Sequence, residues 1–311
     1  MRTNTLTVAA VYLGSVIGTP CSDEARSFAP ATAEVTGVPA LDLAPPLPPN
    51  AECAAPKATW IWCDDFETDR LARYFEYDPA SGRFARAKGA GFNGSYGMRS
   101  QFAVGRTGAG FLHLAFGKTP QSYFRPVDAG AKVYRNVYWR VFVRYDVGWV
   151  GGGGHKMSRA TSFASPTSWA QAMVMHVWSG KVRTTRLVID PASGTDPSAV
   201  LRTTKYNDAV NLRWLGSAES AAQIGNAGSL GRWRCVEAQA KLNDPGTANG
   251  VAQLWIDGRL EARREGLNFV GALAQYGINA IFLENYWDGG PPANQSRNFD
   301  RFVVSTARIG C

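Results

Sequence analysis

The segment that most constrains the fold is Gly231 to Gly258, GRWRCVEAQAKLNDPGTANGVAQLWIDG. Cys235, Glu237, Gln239 and Lys241 alternate with Val236, Ala238, Ala240 and Leu242, so the first half has the two-residue period of a strand with one apolar and one wet face. Asn243 to Gly250 supplies Asn, Asp, Pro and Gly, residues that turn a chain, before a second strand pattern ends in Trp-Ile-Asp-Gly. The segment therefore predicts a β-hairpin, and a hairpin with one buried face needs a larger antiparallel sheet to lie in.

The rest of the chain agrees. With 33 Gly, 17 Pro, 10 Trp, 11 Tyr and 15 Phe in 311 residues, composition favours strands and turns over long helices. Strand patterns recur at Trp60–Phe66, Phe111–Phe116, Val137–Val147, Ala170–Trp178, Val182–Asp190, Trp233–Leu242, Val251–Asp257, Ala280–Trp287 and Phe299–Ser305. Asp208–Leu215 and Gly271–Tyr276 read as short helices or loops. Many short strands between Gly and Pro turns predict an all-β sandwich of two antiparallel sheets in one domain, 57–311.

Two segments precede that domain. Residues 1–27 join Arg2 to an apolar run from Leu6 to Ile17, too short to span a bilayer and suited to a signal peptide. Residues 28–56, centred on PALDLAPPLPPN, form a Pro/Ala-rich linker. The expectation is a secreted, periplasmic or cell-surface monomer without a transmembrane segment; Cys21 stands where a lipid anchor would attach, although Pro20 departs from the small residue such signals use. The remaining cysteines, Cys53, Cys63, Cys235 and Cys311, allow three pairings in an oxidising compartment. The preferred pairs are Cys53–Cys63, stapling the linker end to the first strand, and Cys235–Cys311, pinning the C-terminus to the hairpin. Cysteine spacing offers no metal site, but Asp64 to Glu67 with Asp300 is a candidate structural Ca²⁺ site through hard oxygen ligands.

The formal net charge is +8, which favours an anionic partner. Scattered Lys and Arg without a nucleic-acid-binding motif argue against nucleic acid and leave acidic polysaccharide, an anionic membrane or no charged ligand at all. On the strand after Tyr138, Arg140 and Arg144 project from one side, either as planar forks for carboxylates on a concave sheet or as solvated charges on a convex one. The following stretch, GWVGGGGHKMSR, reads as a Gly-rich loop, either merely mobile or bringing His155 and Lys156 to a sheet edge with Arg159 close behind. His176 lies in the apolar strand AQAMVMHVW on one face with Trp178, either as a core residue or as a base. His113 reads as structural.

Three segments in order, YWRVFVRYDVGWVGGGGHKM, GRWRCVEAQAKLNDPGTANGVAQLWIDG and FLENYWDGGPPANQSRNFDRFVVS, resemble the jelly-roll polysaccharide lyases of families fourteen and twenty, the alginate and glucuronan lyase type. The resemblance covers roughly Tyr138 to the C-terminus. It implies a concanavalin-like β-jelly roll and cleavage of a uronate-containing polysaccharide by β-elimination, with no required cofactor. That chemistry needs a group on the uronate carboxylate, a base for the C5 proton and an acid for the leaving oxygen. Arg140 and Arg144, or Gln171 and Asn285 in their stead, are the candidate carboxylate ligands; Trp178 and Arg186 are further substrate contacts. The base is His176 or Lys156, with His155 as rival, and Tyr286 is the acid or a combined base and acid. Lys156 falls at the position of the family's loop lysine, but the GHKMSR sequence departs from the family's Gly-Lys-Leu-Pro-Gly loop. Two other activities are weighed: a retaining glucanase, whose paired carboxylates are incomplete here at Glu67 and Asp69, and a non-catalytic carbohydrate-binding module presenting Trp149, Trp178 and Trp287.

Overall fold

The computed structural model describes residues 52–151, 153–180 and 185–311. The expected signal peptide, Cys21 and nearly all of the expected linker lie outside the described residues.

Sixteen strands are formed among them: β1 (Trp60–Asp64), β2 (Glu76–Asp78), β3 (Phe84–Lys88), β4 (Tyr96–Phe102), β5 (Gly108–Ala115), β6 (Asn136–Tyr145), β7 (Lys156–Phe163), β8 (Gln171–Ser179), β9 (Arg186–Ser193), β10 (Arg213–Trp214), β11 (Ala218–Gln223), β12 (Arg234–Lys241), β13 (Gly250–Ile256), β14 (Arg259–Leu267), β15 (Ala280–Tyr286) and β16 (Gln295–Ser305). They build two antiparallel eight-stranded sheets. The first runs β14-β13-β12-β6-β16-β4-β3 with β1 against β16; the second runs β10-β9-β8-β7-β15-β5-β2 with β11 against β9. This is a β-jelly-roll sandwich. Asp208–Leu215 and Gly271–Tyr276 are loops apart from the two-residue strand β10.

Alternation decides what lies between the sheets. Trp139, Val141, Val143 and Tyr145 of β6 face Met173, Met175 and Val177 of β8 and Leu283 of β15 in one continuous core. The β12–β13 hairpin forms as its pattern requires, with Val236 opposite Ile256 and Lys241 opposite Val251. Its second face is less wet than alternation suggests, because the C-terminal segment lies over it. Glu237 is fully buried there, accepting from Ile309 N at 2.7 Å and Gly310 N at 3.1 Å.

Both disulfides, Cys53–Cys63 and Cys235–Cys311, are formed. Loop-closure entropy makes the second bridge, with a sequence separation of 76, worth about 4.5 kcal/mol and the first, with a separation of 10, about 2.7 kcal/mol.

Arg140 and Arg144 project from the outer face of the first sheet, away from the second, and do not share a face with His176. Arg140 binds Glu52 at 2.6 Å and the Gly310 carbonyl at 3.2 Å, so it ties both ends of the domain to β6. Arg144 lies 5.0 Å over the Trp233 ring and 3.7 Å from Asp146. Period-two alternation separates the two faces of a strand, but says nothing about which face looks onto a groove.

The carboxylates of the expected Ca²⁺ site are engaged by protein donors. Asp64 accepts from Phe66 N and Tyr74 Oη, each at 2.9 Å, Asp300 from Phe92 N at 2.8 Å, and Glu67 from Tyr96 N at 3.1 Å. Among the described residues no three His, Cys, Asp or Glu side chains converge as a ligand set.

Candidate active site

A groove of about 500 Å³ opens on the outer face of the second sheet, lined among others by Lys156, His176, Trp178, Trp214, Glu284 and Tyr286. Its floor is β7, β8 and β15, and one wall is the loop between β9 and β10.

The segment from Lys156 onward is a central strand rather than a loop. A β-bulge makes that compatible with its side chains: Lys156 pairs with Trp178 but Ser158 pairs with Val177, so two residues of β7 stand against one of β8. Met157 and Ser158 both turn inward, Met157 into the core and Ser158 to accept from Trp139 Nε1 at 2.9 Å. Lys156 and Arg159, three apart, consequently both reach the groove side. Without the bulge they would point to opposite faces.

Arg159 is fully buried beneath the groove and forms an ion pair with Glu284 of β15 at 2.7 Å. Its guanidinium also donates to Tyr206 Oη and Asn207 Oδ1 and lies over the rings of Tyr206 and Phe282. Burial alone would raise the Glu284 carboxyl, yet Arg159, then Lys156, hold it at about 2. One of its oxygens, Oε2, has no hydrogen-bond partner among the described residues.

The remaining titratable groups come from three strands. Lys156 Nζ lies 5.1 Å from the Tyr286 ring, and burial holds its ammonium below the usual lysine range despite the attraction of Glu284. His176, on β8, is only 4% exposed; burial, then the Arg159 and Lys156 charges, press its imidazole well below the ordinary value. It is therefore a neutral imidazole at about pH 7. Neither of its nitrogens meets a protein partner among the described residues. Its ring stacks on Trp178 at 5.0 Å and Trp214 at 6.0 Å, so three nearly parallel rings form a platform. Tyr286, at the end of β15, is 41% exposed.

Other expected site residues support the groove from behind. Asn285 points inward, donating to the Gly110 carbonyl at 2.9 Å and accepting from Arg297 Nε at 2.9 Å. Gln171 is buried, and its Oε1 accepts from Asn207 N at 3.0 Å, which anchors the wall loop where Asn207 adopts a left-handed backbone. Asn285 still contributes to the groove lining, but its Nδ2 and Oδ1 are both engaged by protein partners. Arg186 donates to the Ser220 carbonyl of the edge strand β11 at 2.9 Å and does not line the groove.

His155 is turned into the interior, away from the sheet edge. It packs 4.5 Å from Trp287 and 5.4 Å from Trp149, with Nδ1 3.2 Å from the fully buried Arg297. A guanidinium only donates, so that nitrogen is the lone-pair acceptor of a neutral ring. Arg297 also donates to the backbone carbonyls of Lys156 and Glu284, clamping β7 to β15 directly under the groove. His113 stacks between Phe111 and Phe282 and holds Glu76 at 2.8 Å, a packing role.

Sequence reasoning missed Glu284, Tyr206, Asn207 and Trp214 as groove residues. A carboxylate inside the apolar run AIFLENY was the available signal for Glu284, since a buried acid requires a cation. The loop residues carried no such signal.

No protein-family model matches the chain, and no curated protein does either. Similarity appears at the level of folds. The alginate lyase vAL-1 from Chlorella virus is 12% identical with a TM-score of 0.54, covering 80% of this chain and 100% of its own. The endo-β-1,4-glucuronan lyase from the fungus Trichoderma reesei is 11% identical at 0.53, covering 80% of this chain and 96% of its own. The marine PL-14 alginate lyase from Aplysia kurodai is 11% identical at 0.56, covering 80% and 100%. The chain therefore has the jelly-roll fold on which these polysaccharide lyases are built.

Proposed function

We propose that the protein is a polysaccharide lyase that cleaves a uronate-containing polysaccharide by β-elimination. The observation that carries this reading is the meeting of Lys156, His176 and Tyr286, from three separate strands, in one groove where both imidazole nitrogens lack protein partners. The fold likeness to alginate and glucuronan lyases supports it.

Each group has a part that follows from its state. The Lys156 ammonium, bound in no ion pair among the described residues, sits against the uronate carboxylate and stabilises the charge that develops there when C5 is deprotonated. Neutral His176 accepts the C5 proton. The electron pair left behind forms the C4–C5 double bond, the C4–O bond breaks, and the departing oxygen takes the phenolic proton of Tyr286. Glu284 Oε2 accepts from a sugar hydroxyl, and the ring of Trp178 or Trp214 supports a pyranose face. Arg159 stays on Glu284 and keeps it ionised. The two disulfides fit an oxidising compartment, and we assign the protein to the cell exterior or periplasm.

A binding module without chemistry is the second reading, favoured by the Trp178–His176–Trp214 platform. Incubation with alginate, polyglucuronate and neutral glucans separates the two. Elimination gives the ultraviolet absorbance of an unsaturated uronate end; hydrolysis gives reducing ends without absorbance; a module gives retention on the polymer with neither.

A further inference from the structure

The groove does not end at Tyr286. A second cavity of about 490 Å³ adjoins it, and the two share Asp78 and Gly108 in their walls. Both volumes fall within the range of ligand-binding clefts. The second is polar and carries two guanidinium groups, Arg83 before β3 and Arg106 in the turn before β5.

Its construction ties it to the catalytic strand. Tyr286 pairs with Gly108, and Trp287 N donates to the Thr107 carbonyl at 2.7 Å. Val104 N donates to Asn294 Oδ1 at 2.9 Å, so the Arg106 turn is held at both ends by the segment following β15. The Gly-Gly pair of DGGPP has a physical role here. Gly290, at φ +80°, lies so close that a Cβ would come within 2.9 Å of Gly105 C and 3.0 Å of Arg106 N. The turn therefore lies directly beside the end of the strand that carries the proposed acid. Arg83 donates to the Gly108 carbonyl at 3.3 Å, while its Nε is a buried donor without a partner among the described residues. Arg106 is exposed and makes no ion pair among the described residues. The single carboxylate in the cavity, Asp78, stands on the shared wall with Oδ1 taken up by Ala80 N at 2.7 Å.

In the main groove, Lys156 is a cation held in no ion pair among the described residues, while Arg159 is committed to Glu284. We infer that the adjoining cavity is an anion subsite in which Arg83 and Arg106 bind the carboxylate of a uronate residue further along the polymer, and that Asp78 accepts a sugar hydroxyl where the chain crosses between the cavities. The inference rests on the proposed polyuronate substrate and adds its register: a glycan running from the Trp platform past Tyr286 toward Arg106. The subsite selects for polymers with a charge on successive residues.

The test is affinity electrophoresis through polyuronate gels, with a neutral glucan gel as control, comparing wild type, Arg106→Gln, Arg106→Glu and Gly290→Ala. Loss of one charge contact at a partly exposed site predicts about fivefold weaker polyuronate binding for R106Q and a larger loss for R106E, both shrinking as salt is raised. G290A, which displaces the Arg106 turn, weakens binding in the same direction while the Arg106 charge is kept. Wild-type retention tests the substrate reading by itself. If wild type is retained and R106E is retained equally at low salt, the subsite is overturned and the function stands; if wild type is not retained, both fall.

Discussion

Replacing Glu284 by Gln tests the electrostatic frame of the groove. The carboxylate is buried, lies 2.7 Å from Arg159 and is held at about 2 rather than its ordinary 4.5. That shift corresponds to roughly 3 kcal/mol in favour of the ionised form. Glutamine removes the charge but keeps the shape, leaving the guanidinium buried without a counter-ion, a change that costs about 3–5 kcal/mol. For a domain of this size each kcal/mol moves the melting temperature by about 2–4 °C, so the variant should melt roughly 6–20 °C lower at about pH 7. The sign with pH follows from the depressed value. The pair's contribution is complete above the unfolded carboxyl value of about 4.3 and disappears as pH falls toward about 2, so the gap between wild type and E284Q should close on acidification. The reverse variant, Arg159→Met, should cost less than E284Q in mild acid, because a carboxyl can take up a proton whereas a guanidinium cannot lose one. The double variant R159M/E284L, which removes both charges, should recover much of the loss. Calorimetry across that pH range is the assay. A melting temperature within about 2 °C of wild type, or a gap that does not change with pH, would refute the reasoning.

Four further outcomes are expected. His176→Gln abolishes turnover on the preferred polyuronate, and because burial and two cations depress the imidazole, the acid limb of the wild-type rate lies below the ordinary histidine value of about 6.5; a limb above it contradicts a neutral His176 base. Arg140→Gln lowers the melting temperature without changing turnover, since its partners are Glu52 and Gly310; lost activity with unchanged stability would return it to the site. Cys311→Ser lowers stability by about 4 kcal/mol, read by urea unfolding under non-reducing conditions. Asp64 and Asp300 are raised by burial to about 6 and about 7, so the folded state holds protons that the unfolded chain releases near 4; stability should fall as pH rises from about 4 to 7, and Asp64→Asn should flatten that slope.

The fold was legible because it depends on local period. The alternation in β6 and β12 identified strands and their apolar faces, the unbroken apolar run marked β8, and turn chemistry marked the hairpin at Asn243. Strands β2, β3, β4, β10, β11 and β14 escaped and β7 read as the end of a loop: β2 and β10 are too short for a period to show, and Arg86, Ser100, Ser220 and Arg264 interrupt the apolar face of the others. The candidate groove was half legible. Lys156, His176, Trp178 and Tyr286 line it, and each could be picked out because its chemistry stands out against its strand. Arg140 and Arg144 stood out equally, but which sheet is concave is a property of the whole sandwich. His155 and Asn285 were misread for a related reason: the bulge after Lys156 and the end of β15 decide which neighbour turns inward, and a buried Arg297 collects both. Arg159 was noticed as a basic residue, but its partner Glu284 lies 125 positions away. Such a pairing has no local trace.

The most direct measurement of the central claim is the ultraviolet progress curve of purified protein on polyuronate, run for wild type, His176→Gln, Lys156→Ala and Tyr286→Phe. The account predicts a rising absorbance for wild type and its loss in all three variants, with folding intact by circular dichroism. Wild-type protein that raises no absorbance on any uronate polymer, or any one of the three variants as active as wild type, contradicts it.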